Sequence, residues 1–163
     1  MTRSMKFLVL SSALVFAACS KKEEGAAGGG GGGGGAPKAQ KLPKYGLVID
    51  VPGEVMVNDN VVGEGHMING STVGAMAIEE KQEAPALDAA KSDADMYSPK
   101  NLNAETLPDG YALTFENKGG MGTNYWVDVT RTIDGKHYKC WSTGADKSQA
   151  ANVLAACKTL KKG

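Results

Sequence analysis

The stretch YGLVIDVP places Tyr45, Leu47, Ile49 and Val51 at every second position, which gives a strand one apolar face, and Pro52-Gly53 closes it. EVMVND, NVVGEG, HMING and STVGAMAIEE continue as short extended pieces with Asn and Gly at their turns. The period then changes. Residues 84–98, APALDAAKSDADMYS, are Ala-rich and free of Gly, and Pro85 suits a first turn, so a helix of about three turns is predicted, closed by Pro99. Strand character resumes in LPDGYALTFENKGG, residues 107–120, after a Pro-Asp-Gly turn. TNYWVDVTRTI, residues 123–133, puts Tyr125, Val127, Val129 and Ile133 on one face. Asp134-Gly135 supplies the two positive-φ residues of a tight hairpin, and KHYKCWST returns along it. Last, DKSQAANVLAACKTLKK carries Ala150, Val153, Leu154, Cys157 and Leu160 on one helical stripe. Ser148 is its predicted N-cap, and the terminal lysines suit the negative helix end.

Strands, helix, strands, helix is the order of an α+β domain: an antiparallel sheet of short strands with a middle and a C-terminal helix packed on it. This domain is expected over residues 45–163, about 119 residues, enough for one modest core. The pattern before Tyr45 is of another kind. MTRSMK holds two positive charges, and FLVLSSALVFAA, residues 7–18, is uncharged and apolar, the layout of an export signal over residues 1–18. As a helix this run of 12 residues spans about 18 Å, short of the roughly 30 Å a bilayer core demands.

Phe16-Ala17-Ala18-Cys19 resembles the lipobox of bacterial lipoproteins, with Phe16 where that family usually carries Leu. The resemblance implies cleavage before Cys19, which then carries lipid; the rival expectation is ordinary signal cleavage after Cys19. A multiply acylated cysteine anchors stably, because each buried methylene contributes about 0.8 kcal/mol. Ser20 rather than Asp follows, which in such lipoproteins favours the outer membrane, with the domain facing the periplasm or the surface. Residues 19–44 are then the lipidated cysteine and a tether containing eight consecutive glycines, Gly28 to Gly35. Such a tract buries no apolar area and is expected to stay disordered, with a reach of about 25–30 Å. It lacks the flanking strand, helix and Lys-Ser/Thr of a phosphate loop.

Charge narrows the partners. The 18 basic and 18 acidic residues balance, and without residues 1–18 the count is 16 against 18, a net of −2. No basic stripe marks nucleic-acid binding. With Cys19 given to lipid, Cys140 and Cys157 remain as a pair in an exported protein, and a bridge would staple the last hairpin to the last helix. Closing that loop would contribute about 3 kcal/mol. Unpaired buried thiols, a redox pair or a metal site are the alternatives. No Cys-x-x-Cys occurs, and His66 and His137 are not at zinc-finger spacing.

Catalytic signals are weak. No serine lies in a Gly-x-Ser-x-Gly elbow, and Asp93 and Asp95 lack the glycine and distal Glu of a calcium loop. Asp93 and Asp95 read as the polar face of the middle helix, and Glu79, Glu80 and Glu83 as a solvated charge run leading into it. No metal or cofactor is expected. Trp126 and Trp141 sit on the two strands of the Asp134-Gly135 hairpin. With Asp128 opposite Trp141, and Trp126 opposite Thr143, the two indoles are diagonal neighbours on one sheet face. They are either core under a helix or an exposed binding patch. YGLVIDVP, LPDGYALTFE and the terminal Cys-Lys-Thr-Leu-Lys helix resemble Mog1/PsbP-like α/β sandwich domains, and that resemblance implies a binding or assembly module without catalytic residues. The expected function is thus a lipid-anchored, non-enzymatic binding or assembly module of the cell envelope, with the membrane and an envelope protein as partners. The alternatives are a structural envelope component and an enzyme with an unrecognised site.

Overall fold

The structure is a computed structural model that describes residues 35–61, 63–120 and 122–163. The export signal, Cys19 and nearly all of the glycine tract lie outside the described residues. Pro37–Leu42 (β1) and Leu47–Pro52 (β2) lead into Met56–Asp59 (β3), His66–Gly70 (β4) and Gly74–Lys81 (β5). Helix Leu87–Asp95 (α1) follows, then Lys100–Leu107 (β6), Gly110–Gly119 (β7), Gly122–Ile133 (β8) and Lys136–Ala145 (β9). Helix Lys147–Lys158 (α2) and the short Lys161–Lys162 (β10) end the chain.

The strands pair antiparallel, as the strand–helix–strand–helix order implies, but they form two sheets rather than the one expected. One has three strands in the order β1-β2-β10; the other has seven, β3-β4-β5-β9-β8-β7-β6. Two meanders, β3-β4-β5 and β6-β7-β8-β9, join where β5 pairs with β9, with Ile78 opposite Cys140. Helix α2 packs against β2 on one side and against β8 and β9 on the other. The main core lies there: Leu47, Ile49 and Val51 from β2 meet Ile78, Val127, Val129, Cys140, Val153 and Cys157. The two-residue period read in YGLVIDVP corresponds to alternate burial along β2, with Tyr45 in the turn before it. Asp134 (φ 51°) and Gly135 (φ 77°) make the expected hairpin turn.

Five features differ from expectation. The folded region begins at Pro37 rather than near Tyr45, because PKAQKL is an edge strand that buries only Leu42 and carries Lys38, Gln40 and Lys41 among its other positions. Strand β6, KNLNAETL, was not expected either, for the same reason: it is the exposed edge of the large sheet. Glu79 and Glu80 belong to β5, not to a helix approach, since β5 continues in register with β9 as far as Lys81 opposite His137. The N-cap of α2 is Asp146, not Ser148. Its carboxylate accepts from the Gln149 backbone N–H at 2.8 Å while the Gln149 side chain accepts from the Asp146 N–H, a reciprocal capping box, and Ser148 donates to Asp146. Helix α1 is shorter than predicted, because Ser98 precedes Pro99 and takes φ 51°.

Candidate functional site

The large sheet has two unlike faces. One lies under α2; the other carries the odd-numbered residues of β7 and β9 and the even-numbered residues of β8. On this second face α1 covers only the β7 side. Ala90 and Ala94 of α1 pack on Tyr111, Leu113 and Phe115 in a small second core. Beyond them, towards β9 and β5, a cavity of about 480 Å³ opens between helix and sheet. That volume is in the range of small-molecule sites, about 300–1,000 Å³.

Its walls are aromatic. Phe115 and Trp126 are cross-strand partners and stack with centroids 5.2 Å apart and planes 12° from parallel. Tyr97, just past α1, leans on Trp126 at 4.5 Å. Trp141 lines the same cavity. Each indole is fixed through its N–H: Trp126 donates to Asn117 Oδ1 at 2.9 Å and Trp141 to Glu79 Oε1 at 3.1 Å. The ring surfaces are what remains for contact.

Charged groups flank these rings in neutralised pairs. Lys81 Nζ sits 2.6 Å from Glu79 Oε2, and Lys139 Nζ 2.8 Å from Asp128 Oδ2. Asp93 of α1 also lines the cavity. The other oxygen of Asp128 is buried and has no hydrogen-bond partner, and the same holds for Tyr111 Oη and Thr130 Oγ1. These three residues are neighbours on β7 and β8, with Tyr111 opposite Thr130 and Leu113 opposite Asp128. Burial pushes the Tyr111 phenol pKa up, and the charges of Asp128 and Asp93 add to the rise. The Thr130 hydroxyl lies near enough to ease that rise, yet the geometry falls short of a hydrogen bond and both oxygens stay unpaired.

The sequence-derived candidates fall as follows. Cys140 and Cys157 are disulfide-bonded, with Cα atoms 5.7 Å apart and both fully buried. Trp126 and Trp141 do share a sheet face, and Asp128 is opposite Trp141 as the hairpin count requires. A register shift between Tyr125 and Val127 removes the expected pairing of Trp126 with Thr143. Both indoles are half-buried, so they belong neither wholly to the core nor wholly to the surface. Asp93 and Glu79, expected as solvated charges, line the cavity. His66 is buried against Tyr45, while His137 contacts Thr132, so the two histidines do not converge. Among the described residues no group of three or more His, Cys, Asp or Glu side chains could hold a metal ion, and no helix is long and apolar enough to cross a membrane.

Tyr111, Asp128 and Thr130 escaped sequence reasoning. The available signal was the second apolar set Tyr111, Leu113, Phe115 in β7, which requires cover on a face away from α2. Comparison with known proteins gives no matching family model and no matching curated protein.

Proposed function

We propose that this chain is a lipid-anchored, outer-membrane lipoprotein of the cell envelope whose folded domain is a non-enzymatic binding module, with the cavity beneath α1 as its site. The anchor rests on the lipobox-like Phe16-Ala17-Ala18-Cys19 and the glycine tether after it. The binding reading is carried by one observation: a cavity of about 480 Å³ between α1 and the sheet is lined by Tyr97, Phe115, Trp126 and Trp141. An aromatic-walled cavity of that size matches the small-molecule sites of other proteins.

Both halves are testable. Fatty-acid labelling of cells should mark the wild-type chain and not Cys19→Ala; equal labelling rules out the anchor. The chain has only two tryptophans, and both line the cavity, so their two indole N–H signals report on this site. A library of small neutral and charged fragments should move these signals in a ¹⁵N correlation spectrum. Fragments that leave both signals still would refute the site.

A further inference from the structure

Resting on the reading of this cavity as a binding site, we infer that its ligand carries an alkylated ammonium group, held between the aromatic wall and the carboxylate of Asp93.

Asp93 stands where a helix rarely puts a charge. Ala90, Asp93 and Ala94 fall at i, i+3 and i+4, the stripe of α1 that faces the sheet, and both alanines are buried on it. Asp93 between them is exposed and lines the cavity. Among the described residues its carboxylate has no ion pair and no hydrogen bond. Its charge is felt inside the cavity, since it contributes to the raised pKa of the Tyr111 phenol.

The other charges of the lining cancel in pairs. Glu79 holds Lys81 at 2.6 Å and Asp128 holds Lys139 at 2.8 Å, so the one carboxylate in excess is that of Asp93. An anion meets this excess and finds its donors taken: both lysines are engaged, and both indole N–H groups donate within the protein. Drawing a lysine from its carboxylate would leave that carboxylate uncompensated. A neutral apolar ligand suits the rings but leaves Asp93 without a partner.

The wall asks for the same sign as Asp93. Aromatic faces carry the negative lobe of the ring quadrupole, so Tyr97, Phe115, Trp126 and Trp141 attract positive charge. Alkylation of the cation follows from the same rings. Methyl groups on nitrogen pack against aromatic carbon, and an ammonium that carries them gives up less hydration than a bare one. A metal ion fits less well, because among the described residues no three His, Cys, Asp or Glu side chains converge to hold one.

The test uses the ¹⁵N-labelled full-length chain in micelles of dodecyl maltoside, an uncharged detergent, read at the two indole N–H signals. Choline is titrated beside its carbon isostere, the alcohol with a tert-butyl group in place of trimethylammonium, and beside tert-butylacetate, which has similar bulk and a negative charge. Choline should move both signals, and the other two should bind at least about tenfold more weakly. Asp93→Asn should weaken choline about tenfold and leave the alcohol unchanged. Asp95→Asn removes the same charge from the same helix at a position outside the cavity lining, and should bind choline as wild type does. Glycerophosphocholine, titrated in parallel, carries the same ammonium group; the tighter of the two tells a lipid headgroup from a free cation as its source. Equal binding of the alcohol, tighter binding of tert-butylacetate, or equal losses in Asp93→Asn and Asp95→Asn overturn the ammonium assignment and leave the binding site standing. If neither these probes nor any other fragment moves the indoles, both fail.

Discussion

Arg131 grips Asp109 with two parallel hydrogen bonds, Nε to Oδ1 at 2.7 Å and the terminal nitrogen to Oδ2 at 2.8 Å, and its remaining nitrogen donates to the Lys158 carbonyl. One side chain thereby ties the β6–β7 turn to the C-terminal end of α2. Only a planar fork can make both carboxylate bonds and the carbonyl bond together. The helix end supplies a carbonyl with a partial negative charge, which favours the cation there. Arg131→Lys should therefore lower stability by about 1–2 kcal/mol, and Arg131→Ala by about 2–3 kcal/mol, in urea unfolding. Equal stability of Arg131→Lys and wild type would mean that a point charge suffices and that the fork geometry contributes nothing.

The bond between Cys140 and Cys157 joins β9 to α2 within the main core, where both sulfurs are shielded from solvent. Its partners span 17 positions of sequence, so closing the loop in the unfolded chain contributes about 3 kcal/mol. The double variant Cys140→Ala, Cys157→Ala should lose about that amount in equilibrium unfolding. Burial adds a kinetic corollary. Dithiothreitol should leave the bond intact in the native protein and cut it readily in urea, as counted by thiol alkylation. Rapid reduction under native conditions would show that β9 and α2 separate without global unfolding.

What could be read from the chain follows where its side chains are sorted by burial. Strand β2 alternates buried and half-buried residues, and the Asp134-Gly135 hairpin has turn chemistry few other sequences share, so both were legible. Edge strands were not. Lys38, Gln40 and Lys41 in β1, and Lys100, Asn101 and Asn103 in β6, look outward and carry no period. Their polarity protects an open sheet edge and resembles that of a linker. The site was half legible. Parity placed Trp126 and Trp141 on one face, but the cavity exists only because α1 stops short of β9, and sequence does not fix where a nine-residue helix settles on a sheet. Tyr111 and Thr130 lie opposite one another across two strands, a relation set by the hairpin between β7 and β8 and not by local pattern.

His66 makes the domain sensitive to mild acid. It is buried edge-on to Tyr45, and its Nε2 accepts from the Lys44 backbone N–H at 3.3 Å, a bond that requires that nitrogen to be unprotonated. Burial lowers its pKa; Asp59 and the Asn58 backbone oppose the shift, and Lys44 adds to it. The unfolded chain takes up the proton near the ordinary value of about 6.5, while the folded chain resists it. Stability from this group is thus fully present above about pH 6.5 and declines as pH falls below it, by at most about 1.4 kcal/mol per pH unit. Urea unfolding between about pH 7.5 and 5 should show that decline, and His66→Asn should flatten it relative to wild type. An identical slope in the variant would place the acid sensitivity elsewhere.

The unpaired oxygens of Tyr111 and Thr130 make a prediction opposite in sign to that of most core substitutions. Tyr111 is 5% exposed and Thr130 1%, yet neither hydroxyl has a hydrogen-bond partner. Each was stripped of water on folding without recompense, so removing it while keeping the side chain's shape should relieve the cost. Tyr111→Phe leaves the ring packed on Ala90, Ala94 and Leu113, and Thr130→Val replaces a hydroxyl by a methyl of similar size. Each should raise stability by about 1 kcal/mol in the ligand-free protein. Scanning calorimetry of the two variants beside wild type reads the change directly. If Tyr111→Phe instead lowers the melting temperature, the phenol is already satisfied, by ordered water or by its neighbour Thr130.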